Sequence, residues 1–146
     1  MGAGVAQAGD SPGGDSLTGY AERPGVVPIP IAMAIQAHSG SQGEHASGVF
    51  ASFRLEGDRL PFSGKITCLR VQGNRAVAGG LVTKSESPFS PVGSAILIQV
   101  TDNGFPGAGR DTNINFGAAV DDLTTCPFND FPEITITKGD FAVYDG

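Results

Sequence analysis

Asp102, Asn103, Asp111, Asn113, Asp121 and Asp122 place hard oxygen donors in two neighbouring stretches of the chain. Carboxylate and amide oxygens from flexible loops are what Ca²⁺ takes, roughly six to eight at a time. If the loops carrying them meet at one end of the fold, these side chains form a candidate calcium site. The competing reading is local. Asp102-Asn103-Gly104 is strong turn chemistry on its own, and Asp and Asn side chains readily satisfy nearby backbone groups. Their spacing follows no EF-hand loop. Calcium is thus the ion these side chains would take, and no cofactor beyond it is expected.

Nucleophilic catalysis needs an activated hydroxyl or thiolate beside a base. The two histidines, His38 and His45, flank one polar turn with Glu44, and no G-x-S-x-G motif is present. Solvated turn residues account for them better than a hydrolytic site does, or a weakly held transition metal. Gly104, Gly107 and Gly109 precede Arg110-Asp111-Thr112 rather than a helix N-terminus, so they make no phosphate cradle. Phe105, Phe128 and Phe131 fall in expected loops. They are core plugs or the apolar rim of a ligand cavity, as in barrels that hold one small molecule. No catalytic residue stands out.

Cys68 and Cys126 are an even pair without C-x-x-C spacing. Bridged, they close a loop of about sixty residues, worth roughly 4 kcal/mol in the chain-entropy account. Such a bridge persists only in an oxidising compartment. The alternative is two buried free thiols.

The chain has 146 residues, 40% of them hydrophobic and 16% charged, which is too apolar for disorder and enough for one core. Its 22 glycines and 10 prolines lie between apolar runs and argue against long helices. The net charge of −6 resides in the last third, where eight acids face only Arg110 and Lys138. Such a surface repels phosphate backbones, which makes nucleic acid a poor partner. No run of roughly 18 apolar residues is present, so no transmembrane helix is expected.

Residues 1–24 lack periodicity and read as a flexible lead-in to a single β domain spanning 25–146. Within that domain Ile29, Ile31, Met33, Ile35 and Ala37 alternate with small or polar residues, the mark of a half-buried strand. Pro28 and Pro30 put its start at a sheet edge. Val49, Ala51, Phe53 and Leu55 repeat the pattern, and a third strand over 64–71 slips phase near Cys68, which predicts a β-bulge. Gln72-Gly73-Asn74-Arg75 predicts a tight hairpin. Gly79-Gly80 marks a bend or close approach in the fourth strand. Residues 94–101 are apolar throughout and predict a strand covered on both faces. A short strand begins near Thr112, and a terminal strand pair is expected around Lys138-Gly139-Asp140.

Seven or eight strands with short connections predict an all-β, mostly antiparallel fold. A small barrel is favoured over a two-sheet β-sandwich, because the bulge and the glycine pair are corner-turning devices and closure removes open edges.

The blocks Thr67-Cys68-Leu69-Arg70-Val71-Gln72-Gly73-Asn74-Arg75-Ala76 and Val100-Thr101-Asp102-Asn103-Gly104, followed by Asp111-Thr112 and Cys126, resemble a group of small secreted actinobacterial all-β proteins of unknown function. The likeness covers roughly residues 45–126. It implies export and β structure, and carries over no functional residue. Val5-Ala6-Gln7-Ala8 adds the small-residue pattern that precedes signal-peptidase cleavage, followed by a polar linker. A secreted or cell-surface location is therefore expected.

Three functional readings follow. The first is an exported, non-enzymatic domain that acts in binding or assembly through loops at one end. The second is a small barrel enzyme, of cyclase or isomerase type, that orients a hydrophobic small molecule in its cavity. The third is a self-assembling structural subunit that pairs edge strands between chains.

Overall fold

A computed structural model describes residues 14–104 and 110–146. Nine strands form one antiparallel sheet: β1 (Asp15–Arg23), β2 (Ile31–Ser39), β3 (Ser47–Arg54), β4 (Phe62–Gln72), β5 (Arg75–Ser85), β6 (Ala95–Thr101), β7 (Thr112–Ala118), β8 (Ile134–Thr135) and β9 (Lys138–Tyr144). Their order is β8-β7-β6-β5-β4-β3-β2-β1-β9, so β1 to β7 follow one another up and down and the sheet curls into a half-barrel. A 3-10 turn, Val120–Thr124, lies between β7 and β8.

Alternation decides what fills the curl. Successive strand residues face opposite sides of a sheet. On the concave side Leu17, Met33, Ile35, Phe50, Leu69, Ile98, Val100 and Phe141 are buried together. Phe50 occupies space that glycines leave open. A Cβ at Gly64 would stand 2.8 Å from its Cζ, and one at Gly80 would stand 2.8 Å from its Cε1.

The convex side of β4, β5 and β6 is covered as well. Val77, Ala95 and Leu97 pack there with Leu123, Cys68 and Cys126 in a second cluster. The segment after β7 supplies that cover, and the Cys68–Cys126 disulfide fastens it to β4 with 5.9 Å between the Cα atoms. Gln99 anchors the same segment farther along. Its Nε2 donates to Asn129 O at 3.1 Å, and its Oε1 accepts the Asn129 N–H at 2.8 Å.

The two edges of the sheet are joined by one piece of chain. Residues 134–135 pair with β7. The Ile136 N–H then donates to Asp111 O at 3.0 Å, and the Thr137 N–H crosses to Glu22 O at 2.8 Å. From there β9 runs antiparallel to β1.

Several expectations agree with this fold. The sheet is all-β and barrel-like, and its single curled layer replaces the sandwich alternative. The bulge falls at Thr67, where the β4–β5 register shifts between Ile66 and Cys68. The hairpin closes at Gln72 opposite Arg75. Every residue from Ala95 to Val100 is buried, as a strand covered on both faces requires.

Others are corrected. There are nine strands rather than seven or eight. The span 1–24 is not all lead-in, and the β domain begins before residue 25, because Asp15–Arg23 form β1 between β2 and β9. Its inward positions are Asp15, Leu17, Gly19, Ala21 and Arg23, so charge and glycine hide the period-two pattern. Pro28 and Pro30 do not mark an edge strand. They lie in the loop before Ile31, and β2 is paired on both sides. Gly139 lies inside β9 rather than in a terminal hairpin, with its φ of +91° accommodating a close pass over Tyr20 and Ala21. Val5 to Ala8 lie outside the described residues.

Candidate functional site

An up-and-down sheet sends alternate connections to opposite ends. At one end are the loops 24–30, 55–61 and 86–94 and the residues just after β7. At the other are the loop 40–46, the turn at 73–74 and the β6–β7 connection. The interior is filled by its own side chains toward the second end and opens toward the first. A cavity of about 780 Å³ lies there, bounded by Ile31, Ser52, Phe62, Ile96, Asn115 and Phe116 among others. That volume falls inside the range of roughly 300–1,000 Å³ usual for small-molecule sites.

The inward positions Ile31, Phe62 and Ile96 near the strand ends give the wall an apolar stretch. Ser52, the polar exception on β3, donates its Oγ–H to Ala32 O at 2.8 Å and is thereby satisfied. The rim is apolar too. Val26 is 81% exposed, Val27 54% and Phe89 75%, and all three border the opening. Large hydrophobics held open to water around a cavity mouth are more informative than scattered ones. The Arg54 guanidinium lies 5.5 Å from the centre of the Phe89 ring, which braces one side of the rim.

One buried cation lines this cavity. Arg23, the last residue of β1, is only 3% exposed. Its Nε donates to Asn113 Oδ1 at 2.7 Å, and its Nη1 donates to Pro24 O at 2.8 Å. Asn113 is itself fixed, because its Nδ2 donates to Gln99 O and to Asn115 Oδ1, both at 2.9 Å. Arg23 has no carboxylate partner among the described residues. Burial lowers its pKa to about 10, well below the usual arginine value but still charged at neutral pH.

The six oxygen-bearing residues read as a calcium set do not converge. Asp102, Asn103 and Asp111 lie at the closed end, before and after the β6–β7 connection. Asp121 and Asp122 lie in the 3-10 turn beyond the other end of β7. Asn113 is spent on Arg23 and its neighbours. Asp111 Oδ1 accepts the Asn103 N–H at 2.8 Å, Asp102 Oδ1 accepts the Gly104 N–H at 2.8 Å, and Asp122 Oδ2 accepts the Ala119 N–H at 3.1 Å. Among the described residues no group of three or more His, Cys, Asp or Glu side chains is placed to hold a metal ion.

The phenylalanines also fall elsewhere. Phe128 packs on the convex cluster, with the guanidinium of Arg75 4.8 Å from its ring centre and that of Arg70 at 5.5 Å. Phe131 makes an edge-on contact with Phe116 at 5.5 Å and so backs the cavity wall from outside. Phe105 lies outside the described residues. Cys68 and Cys126 are brought together as a disulfide.

Arg23, Asn115 and the 24–30 loop were the residues that sequence reading missed. A signal existed: Leu17, Ala21 and Arg23 alternate with Thr18, Tyr20 and Glu22, which puts a cation on the inward face of a strand. No family model, curated protein or solved structure matches this chain.

Proposed function

We propose that this chain is a binding domain that takes a small, largely apolar molecule into the open end of its half-barrel. The observation that carries the reading is the uneven filling of the interior. Phe50, Phe141, Leu17 and Met33 pack one half solid, while the other half leaves about 780 Å³ behind an apolar rim. A space of this size, open at the mouth of a barrel, supports the reading of a small-molecule site. The Cys68–Cys126 bridge supports a place outside the reducing cytoplasm, where small exported domains work. Edge-strand assembly has less support, since the two outer strands, β8 and β9, belong to one continuous segment that links β7 to β1.

Catalysis by orientation in the same cavity is the second reading, and the volume alone favours it. Among the described lining residues the charged side chains are Arg23, Arg54 and Asp122, and Asp122 is tied to the Ala119 N–H. That set serves recognition better than proton transfer.

The test is titration with the neutral fluorophore N-phenyl-1-naphthylamine. Gly117 lies on the cavity wall, and a Cβ there meets nothing within 4 Å. Gly117→Leu therefore starts from a Cβ that meets no neighbour and sends its side chain into the cavity. Saturable binding by the wild type and its loss in Gly117→Leu is the expected result. No binding by the wild type, or equal binding by both proteins, overturns the reading.

A further inference from the structure

We propose that the molecule held in the cavity is amphipathic, an apolar body ending in a single carboxylate, and that Arg23 is the residue that binds this head group. The inference rests on the cavity reading above and names the ligand class for it.

A guanidinium carries five N–H donors in a planar fork. Two of those of Arg23 are used, one on Asn113 Oδ1 and one on Pro24 O. The other three, one on Nη1 and two on Nη2, have no partner among the described residues. Nη1 and Nη2 form the outer edge of the fork, the side that meets a carboxylate through two parallel hydrogen bonds. The Nε–H lies on a different edge of the plane and is fixed by Asn113, whose amide is locked in turn by Gln99 O and Asn115 Oδ1. The head of the side chain is thus oriented before any ligand arrives.

A buried charge without a counter-charge is costly, and proteins usually pair it. Arg23 is buried, charged at neutral pH and lacks an acid within ion-pair distance among the described residues. A protein with a net charge of −6 has carboxylates to spare, yet none is placed here. An anionic ligand completes the pair. One buried cation neutralises one negative charge, and a phosphate monoester would bring close to two into the same low-dielectric wall. The neighbours Ile31, Phe62 and Ile96 then receive an apolar body rather than a polar metabolite.

The experiment is displacement of bound N-phenyl-1-naphthylamine from the full chain by decanoate, 1-decanol and decyl phosphate at neutral pH. Decanoate should compete about tenfold or more better than decanol, the gain of a charge-assisted pair of hydrogen bonds. In Arg23→Met the ratio of decanoate to decanol competition, measured within that variant, should fall to about one, and Arg23→Lys restores only part of the advantage, because an ammonium lacks the fork. Equal competition by decanoate and decanol in the wild type overturns the carboxylate assignment and leaves the cavity reading standing. Stronger competition by decyl phosphate overturns the choice of head group. An undiminished decanoate advantage in Arg23→Met removes Arg23 from the role. If Arg23→Met fails to fold, the wild-type comparison and Arg23→Lys decide. A wild type that binds no fluorophore defeats the cavity reading and this inference with it.

Discussion

Asp111 reaches from the start of β7 to β9, where its Oδ2 accepts the Phe141 N–H at 2.8 Å. Two residues on, Asp102 Oδ2 accepts the Val143 N–H at 3.0 Å. The opposite side of β9 is paired with β1. These two carboxylates therefore occupy the place that another strand would fill, and they latch the half-barrel along its seam. Backbone donors left bare at a sheet edge either find acceptors or invite another chain.

Removing the inner latch should loosen the seam. Asp111→Asn keeps the shape but replaces one acceptor oxygen with an NH2 donor, so that one of the Phe141 and Asn103 N–H groups loses its acceptor. A buried donor left without its partner costs about 1–3 kcal/mol. Urea unfolding should place Asp111→Asn lower in stability by that amount. Asp102→Asn should lose less, since Asp102 is the more exposed of the two. Unchanged midpoints for both variants would show that the latch is incidental.

The same carboxyl makes stability depend on pH. Burial raises the pKa of Asp111 above its ordinary 3.8, nearby Asp140 pushes the same way, and the N–H groups of Phe141 and Asn103 oppose them. Burial also raises Asp15, helped by Asp145 and Glu44. An acid with a raised folded-state pKa holds its proton more firmly folded than unfolded. Between 3.8 and the raised value the folded protein carries more protons, so stability falls as pH rises through that window. Thermal melts should accordingly peak on the acid side of neutrality and decline as the carboxyls ionise. Asp111→Asn should flatten that decline, and a melting temperature that climbs with pH in the wild type would contradict it.

The latch explains why the acids of the β6–β7 connection looked like ligands. Asp, Asn and Gly in a loop signal either a turn or an ion site, and sequence spacing cannot say which backbone amides lie opposite. Residues whose partners are local were legible: the bulge at Thr67, the hairpin at Gly73-Asn74, and the doubly covered strand from Ala95. Features set by long-range pairing were not. Arg23 meets Asn113 across ninety positions, and Asp15 meets Gly146 N across 131. Strand β1 itself is stabilised by both neighbours rather than by an apolar stripe. The cavity was invisible for a related reason, because emptiness depends on which inward side chains fail to reach each other.

Glycine at position 79 leaves room for the disulfide. A Cβ there would stand 2.6 Å from Cys68 Sγ, 2.7 Å from Leu123 Cδ2 and 3.0 Å from Leu97 Cδ2. Gly79→Ala should therefore displace the covering segment and destabilise the protein by about 1–3 kcal/mol, the usual cost of overpacking. Gly117→Ala, with open space around it, should be neutral or stabilise by a few tenths of a kcal/mol to about 1. Chemical denaturation of the two variants side by side checks the contrast, and a harmless Gly79→Ala would mean that the convex cover is loosely packed.

Reduction of Cys68–Cys126 should reach the cavity as well as the stability. The bridge holds the segment after β7 against the convex face, and the same segment supplies Ala119 and Asp122 to the cavity wall. Closing a loop with 58 residues of separation is worth roughly 4 kcal/mol, a large part of the stability of a domain this size. Without it the segment is held by the packing of Leu123 in the convex cluster and by the Gln99–Asn129 hydrogen bonds, and the wall next to β7 is less firmly fixed. Alkylation should label no thiol in the native protein and two after reduction. The Cys68→Ala/Cys126→Ala variant should unfold at lower urea and hold N-phenyl-1-naphthylamine more weakly than the oxidised wild type. Weaker stability with unchanged fluorophore binding would confine the staple to holding the fold and place the rigid part of the cavity wall on the strands alone.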